Sequence, residues 1–93
     1  MHRTIRRFWD RFYKLPSPIQ KIAQENFAIL KDNPRHPSLH FKKVGKLWSV
    51  RAGRDYRALA VEDGSDFVWV WIGTHDEYKQ MIKATANRVR GGV

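Results

Sequence analysis

The sequence predicts an α+β domain: a small, mainly antiparallel β-sheet with an N-terminal αα-hairpin packed on one face and a C-terminal helix. Three strand-like segments follow one another closely, at residues 47–52, 56–61 and 67–72. Short turns rich in Gly, Asp and Ser separate them, as between consecutive antiparallel strands. Both alternating faces of segment 67–72 are apolar, so we expect that strand to be buried on both sides, in the middle of its sheet.

The length and composition limit the organisation to one domain, residues 1–93, because the chain is too short for two cores. It contains no cysteine, which excludes a disulfide framework, a thiolate nucleophile and a cysteine-based zinc site. The sequence shows neither a signal-peptide core nor an apolar stretch long enough to span a bilayer. We therefore expect a cytoplasmic protein with no membrane partner.

The charge is strongly basic, with 18 Lys and Arg against 9 Asp and Glu, a formal net charge of +9 and a pI near 10.4. A small domain with this excess is biased towards polyanions, either nucleic acid or an acidic protein. The alternative is a basic protein of the ribosomal type without a specific polyanionic ligand.

The N-terminal third predicts a short strand at residues 4–6 and then two helices joined at Pro16-Ser17-Pro18. In the second helix we expect Ser17 to be the N-cap and Pro18 the first helical residue, with Asn33 at its end. The spacing of three and four residues predicts this apolar stripe on the second helix: Ile19, Ile22, Ala23, Phe27 and Leu30. Such a hairpin needs an apolar sheet face to cover, and the Trp-rich strands supply one.

Two further elements complete the prediction. Residues 39–44 form an additional strand that reaches segment 47–52 through Gly45-Lys46. Gly73-Thr74 starts the C-terminal helix, with acids in its first turn, where the helix dipole favours them. We expect this helix to bury Met81, Ile82 and Ala86 and to fray from residue 88 onward.

Metal and triad chemistry find little support in the sequence. His36 and His40 are four residues apart, but Pro37 between them prevents the regular helix that would align them. No Ser/His/Asp triad can be argued from spacing, and the glycines at turns do not form a phosphate loop. The three acids of the turn before segment 67–72 are expected to be solvated: Glu62, Asp63 and Asp66.

A cationic group is more informative. Five basic residues lie within sixteen positions on strands that should be adjacent: Lys42, Lys43, Arg51, Arg54 and Arg57. His75 and Tyr78 follow where segment 67–72 leaves the sheet. The structural alternative is that these long side chains lie over a strand edge with their charges in water. Against it, Arg51 and Arg57 should be close on neighbouring strands, where like charges repel unless an anion lies between them.

These residues carry a resemblance to a known family. The series W-S-V-R-x-G-x-x-Y-R-A-L-A at residues 48–60, an apolar strand and W-I-G-T-H-D-E-Y at residues 71–78 resemble RelE-type toxins of the RelE/ParE toxin–antitoxin superfamily. The upstream segment N-P-R-H-P-S-L-H-F-K-K-V-G, residues 33–45, is similar to the same family. The resemblance extends over residues 8–82.

The resemblance implies a type II toxin that cuts mRNA in the ribosomal A site, without a metal or other cofactor. It implies an acidic antitoxin as partner, beside ribosome and mRNA, and contact with operator DNA only through the antitoxin complex. Family positions map onto Arg51, Arg57, His75 and Tyr78 as catalytic residues. The implied RNA- and ribosome-binding residues are Lys42, Lys43, Lys46, Ser49 and Arg54. Ser49 departs from members that carry a cation there, and His75 from the Arg of the family's namesake.

The chemistry of such a site can be stated from the residue types. RNA cleavage by 2′-OH attack passes through a dianionic phosphorane, which fixed cations stabilise. The guanidinium forks of Arg51 and Arg57 match phosphate oxygens. Imidazole exchanges protons near neutral pH, so His75 suits acid–base catalysis. Tyr78 is placed to stack on a base or to donate a proton.

Two alternatives to the nuclease stay open at the level of sequence. The first is a ParE-like toxin that inhibits DNA gyrase by binding, and the second is a catalytically inactive RNA- or protein-binding domain. A gyrase inhibitor has no need to cluster Arg51, Arg57 and His75 in one cleft, which favours the nuclease.

Overall fold

The computed structural model describes the backbone of residues 1–91 and, within the last helix, side chains up to Lys83. Five strands, three α-helices and one 3₁₀ turn make up the fold. In chain order they are β1 His2–Thr4, α1 Arg6–Phe12, α2 Ser17–Asp32, the 3₁₀ turn Pro37–Leu39, β2 Lys42–Val44, β3 Leu47–Gly53, β4 Tyr56–Asp63, β5 Asp66–Thr74 and α3 His75–Gly91. The predicted α+β class is confirmed.

The five strands form one sheet in the order β1-β5-β4-β3-β2. Neighbours from β2 to β5 pair antiparallel, and only β1 pairs parallel, with β5. The three segments predicted as consecutive antiparallel strands are confirmed, each longer than the apolar run that indicated it. The expectation that the third of them is the middle strand needs correction, since β4 is central and β5 lies next to the short β1.

One face of the sheet packs against the N-terminal helices, which confirms the αα-hairpin. Contacts join α1 to β5 and α2 to β3. The buried cluster between helices and sheet contains these residues: Phe12, Ala23, Leu30, Leu39, Val50, Ala52, Ala58, Ala60, Trp69 and Ile72. Burial of this apolar surface is the main force that holds the two layers together.

The opposite face is also apolar in its centre. Leu59 is fully buried there, beside Trp71 and Ser49. A β-bulge makes this possible, because Leu59 pairs with Trp71 while Ala60 pairs with Trp69, so that Val70 is the extra residue on β5. The bulge turns Trp69 to the helix-covered face and Trp71 to the opposite one, and each buries its ring. Burial of β5 on both sides is thereby confirmed.

Several boundaries differ from the sequence prediction. The first strand is His2–Thr4 rather than residues 4–6, because its three residues pair with Phe67–Trp69 of β5. Ser17 is the first residue of α2 and Pro16 its N-cap, with no side-chain capping bond. Ile22, assigned to the buried stripe, is 40% exposed.

The strand predicted at residues 39–44 is shorter than expected. Leu39 ends a 3₁₀ turn, and His40 adopts a left-handed backbone conformation with φ 47°. Only Lys42–Val44 then pairs with β3, since a residue at positive φ interrupts the extended backbone.

Two acids of the β4–β5 turn, Glu62 and Asp63, are exposed as expected, but all three acids also form ion pairs that the sequence did not predict. Arg3 contacts both Asp63 and Asp66, and the N-terminal amine contacts Asp66 at 3.3 Å. Lys43 Nζ lies 3.8 Å from Glu62 Oε1. The correction has a structural cause: parallel pairing of β1 with β5 brings the basic N-terminal strand to this turn.

His2 gives the fold a pH dependence. Burial, the N-terminal amine and Lys31 lower the pKa of His2, in that order of size, and its Nδ1 accepts a hydrogen bond from Trp69 Nε1 at 3.0 Å. The unfolded chain therefore binds the proton more readily, so stability should fall as pH drops from about 6.5 towards the folded pKa. We expect His2→Gln to flatten this loss in unfolding midpoints measured across that range. Parallel curves for the two proteins would contradict the assignment.

Candidate functional site

Arg51 and Arg57 face each other across β3 and β4. They are register partners in the ladder, separated by the tight turn at Gly53 to Tyr56. Arg57 Nη1 donates to the carbonyl oxygen of Tyr56 at 2.8 Å, and the carbonyl of Arg51 accepts from Asn26 of α2 at 3.2 Å. Both side chains are half-buried. The predicted juxtaposition of the two arginines is confirmed by the register.

The electrostatics of this pair favour an anionic ligand. Partial burial, and next the facing Arg51 guanidinium, lower the pKa of Arg57. Tyr78 and Asp55 act in the opposite direction. Arginine nonetheless stays protonated in proteins, so two cations are held side by side. An anion placed between them would relieve the repulsion.

The first turn of α3 brings His75 and Tyr78 to the same end of the sheet. Their rings stack at a centroid distance of 5.8 Å. The backbone N–H of His75 donates to the carbonyl of Asp55 at 2.7 Å, which ties α3 to the β3–β4 turn. Tyr78 also acts on the pKa of Arg57. Arg51 and Arg57 thus face each other, and the start of α3 that carries His75 and Tyr78 is tied to the turn that joins their strands.

A capping box fixes the start of α3. Glu77 Oε1 accepts from the backbone N–H and the hydroxyl of Thr74, each at 3.0 Å, and Thr74 Oγ1 accepts from the N–H of Glu77 at 3.2 Å. These bonds lower the pKa of Glu77, the backbone one most. Sequence reasoning recognised the helix start but missed this reciprocal pair, although T-x-x-E is its signature.

The predicted binding residues separate into groups. Lys42 pairs with Ser49 on the face that carries Arg51, and Arg54 is exposed in the adjoining turn. Lys43 lies on the opposite face, beside Glu62. Lys46 is exposed in the β2–β3 turn, at the far end of β3 from Arg51. Ser49 is only 2% exposed, so its side chain offers almost no surface to a ligand.

The described residues were also compared with the patterns of a metal site and of a membrane span. Among the residues that the structure describes, no three His, Cys, Asp or Glu side chains converge as they would around a metal ion. No helix within the described chain is long and apolar enough to cross a membrane.

Solved structures of toxins share this fold. The RelB–RelE antitoxin–toxin complex of Methanococcus jannaschii matches with TM-score 0.67 and 12% identity, over 85% of this chain and 96% of that one. The RelBE2 complex of Mycobacterium tuberculosis matches with TM-score 0.60 and 22% identity, over 80% and 95%. The isolated RelE toxin of E. coli matches with TM-score 0.59 and 12% identity, over 91% and 97%.

Comparison at the level of sequence gives the family. No curated protein sequence matches the chain significantly. The sequence signature of the ParE-like toxin domain, however, matches residues 17–80, which is most of the chain and includes β2 to β5 and the start of α3. The chain therefore belongs to the ParE-like toxin domain family, and its fold is that of the solved RelE toxin structures.

Proposed function

We propose that this toxin is a metal-independent endoribonuclease that cuts mRNA in the ribosomal A site and so inhibits translation in the cytoplasm. The observation that supports it most is the facing Arg51–Arg57 pair with His75 and Tyr78 beside it. Two fixed guanidinium groups next to an imidazole and a phenol are the groups that RNA cleavage by 2′-OH attack requires.

The proposed reaction uses the RNA's own nucleophile. The 2′-OH attacks the adjacent phosphorus and the P–O5′ bond breaks, which leaves a 2′,3′-cyclic phosphate and a 5′-OH. Arg51 and Arg57 stabilise the dianionic phosphorane, where charge-assisted bonds are strongest. His75 and Tyr78 share the proton transfers, one proton leaving the 2′-OH and one reaching the 5′-oxygen. Acid–base help of this kind contributes about 10²–10⁴-fold.

Mapping of mRNA 5′-ends after induction of the chain in cells tests this proposal. New ends inside coding sequences, in register with the reading frame, are expected within minutes of induction. A gyrase supercoiling assay with purified protein runs beside it and should show no inhibition. Inhibited gyrase with intact mRNA would reverse the assignment.

A second candidate is inhibition of DNA gyrase by binding. One observation favours it: the family signature that matches residues 17–80 is the ParE-like one. A binder of this kind would not depend on the charge of Arg57 or the imidazole of His75. Arg57→Ala therefore separates the candidates: it should abolish the toxicity of a nuclease and leave the toxicity and gyrase inhibition of a binder intact. A folded chain that affects neither target would be an inactive binding domain.

We further propose that an acidic antitoxin silences the toxin by covering the site. The M. jannaschii and M. tuberculosis structures with this fold are toxin–antitoxin complexes, and a +9 domain offers charge complementarity to an acidic partner. Adding the antitoxin should move the chain from pelleted 70S ribosomes into the supernatant. A tightly bound antitoxin that left the chain on ribosomes and cutting mRNA would exclude silencing by occlusion.

A further inference from the structure

A groove runs beside the arginine pair, between α1 and the start of α3. We call it the α1 groove; its volume is about 520 Å³. It is lined by Arg7, Asp10, Arg11, Lys14, Leu15, Pro16, Tyr56, Ile72, Gly73, Thr74 and Glu77. It exists because β1 pairs only with Phe67–Trp69, and α1 rather than a strand follows the rest of the β5 edge.

The helix side of the groove is basic. Arg7 and Arg11 are four residues apart and so share one face of α1, Lys14 lies in the turn that follows the helix, and all three are exposed. Asp10 lies on the same face. Within the described chain, none of the three cations lies in an ion pair with a carboxylate. The Glu77 carboxylate also lines the groove; it accepts two bonds from Thr74, and Arg11 contributes to its lowered pKa without forming an ion pair with it. The donors of the three cations thus stay open to a ligand.

The groove is continuous with the site already described. Gly73, in its floor, is the register partner of Arg57. Arg11 reaches round the β5 edge, with its guanidinium 5.7 Å from the centre of the Trp71 ring, on the face that carries Arg57. Neighbouring strands are about 4.8 Å apart, so a row of cations crosses the sheet from Arg51 on β3 to α1 within a few nucleotides' reach.

We propose that the α1 groove binds a backbone phosphate of the RNA strand outside the cleaved position, with Arg11 as its main contact. The inference rests on the proposed nuclease function and adds a second, flanking subsite to it. Arg11 is suited to the contact because its guanidinium carbon lies over the Trp71 ring at 5.7 Å, a cation–π contact that restrains the side chain without using its N–H groups. Asp10 opposes the binding and so tunes it.

An acidic protein segment is the competing occupant. The location favours RNA, because a single strand held at the arginine pair extends in two directions across the sheet, and the α1 groove is the basic surface on its β5 side, as Lys42 is on its β3 side. The groove should therefore add to RNA affinity only when the strand is long enough to reach it from the arginine pair. Binding of an acidic protein segment would not depend on the length of an RNA strand.

The test measures binding of 2′-O-methyl oligouridylates, which lack the attacking hydroxyl, by fluorescence anisotropy. One oligonucleotide spans only the arginine pair, and a longer one reaches α1. Arg11→Gln should weaken binding of the longer strand about three- to tenfold, the net size of one ordinary solvent-exposed hydrogen bond, and leave the short one unchanged. For the longer strand, the slope of log K against log salt concentration should fall in magnitude by about 0.7 in Arg11→Gln, the value of one lost phosphate contact. Asp10→Asn should tighten the longer strand, a change of sign that unfolding cannot produce.

Lys21→Gln is the matched control, since Lys21 is exposed on α2 outside the groove. Equal effects of Arg11→Gln and Lys21→Gln, or equal effects on both strands, would overturn the inference. Binding of polyglutamate at the groove, together with no binding of the longer oligonucleotide there, would also overturn it. Ribosomal mRNA cleavage by the unaltered chain, assayed in parallel, distinguishes the two proposals. If cleavage is absent, the nuclease proposal fails. If cleavage occurs but Arg11→Gln has no effect on the longer strand, only the groove proposal fails.

Discussion

Arg57→Ala should lower the rate of mRNA cleavage by about 10²–10³-fold, the cost of removing one fixed donor to a developing oxyanion. The thermal midpoint should stay close to that of the unaltered chain. The mutation removes two hydrogen bonds from the Arg57 guanidinium, to the backbone carbonyls of Tyr56 and Gly53. It also ends the repulsion with Arg51. Single-turnover cleavage on programmed ribosomes measures the rate, and thermal unfolding measures the midpoint.

Two variants make this result specific. Arg57→Lys keeps the charge without the planar fork, so we expect intermediate activity. Arg35→Ala removes an exposed cation that is distant in sequence from the site residues, so the variant protein should cleave mRNA at the normal rate. Arg57→Ala that unfolds, while the remaining folded fraction still cuts at the normal rate, would make Arg57 structural.

Gly73→Ala should destabilise the fold by about 1–3 kcal/mol, the usual cost of overpacking. A Cβ at this position would lie 2.5 Å from Trp71 Cζ2 and 3.0 Å from Glu77 Oε1. The indole is only 5% exposed, so it has little room to move aside. Thermal unfolding should show a drop of about 4–8 °C for each kcal/mol lost in a domain of this size.

Gly53→Ala is the control for Gly73→Ala, since its added Cβ would have its nearest contacts at 3.7 Å. We expect its midpoint to change little. The comparison separates a steric clash from the general effect of replacing glycine in a strand. Equal midpoints for the two variants would show that Trp71 moves freely and that Gly73 is not required by packing.

The sequence was sufficient for the parts of the fold that local patterns determine. Apolar strand patterns and short Gly-containing turns predicted β3, β4 and β5 as consecutive antiparallel strands. The bulge at Val70 has no such pattern, so simple alternation places Trp69 and Trp71 on one face, where the structure separates them. The three residues of β1 are too few for a period, and His40 carries no sign of its positive φ.

The same distinction applies to the site. The three-residue connection Gly53-Arg54-Asp55 predicts Arg51 opposite Arg57. The structure reaches the same pairing with a shorter turn, Gly53 opposite Tyr56, and a bulge at Ala52. Alternation also predicts Lys42 and Lys43 on opposite faces, so only one of them can lie on the arginine face. The approach of Arg11 to Trp71 joins residues sixty positions apart in the sequence and depends on how α1 follows the β5 edge. Contacts of this kind are set by tertiary packing and leave no local signal.

Cleavage of a defined mRNA on purified 70S ribosomes tests the central claim most directly, with the unaltered chain and Arg57→Ala compared side by side. We expect a single cut at the A-site codon by the unaltered chain, with a 2′,3′-cyclic phosphate on the upstream product and a 5′-OH on the downstream one. We expect almost no cut by folded Arg57→Ala. Products with a 5′-phosphate, or equal cleavage by both proteins, would contradict it.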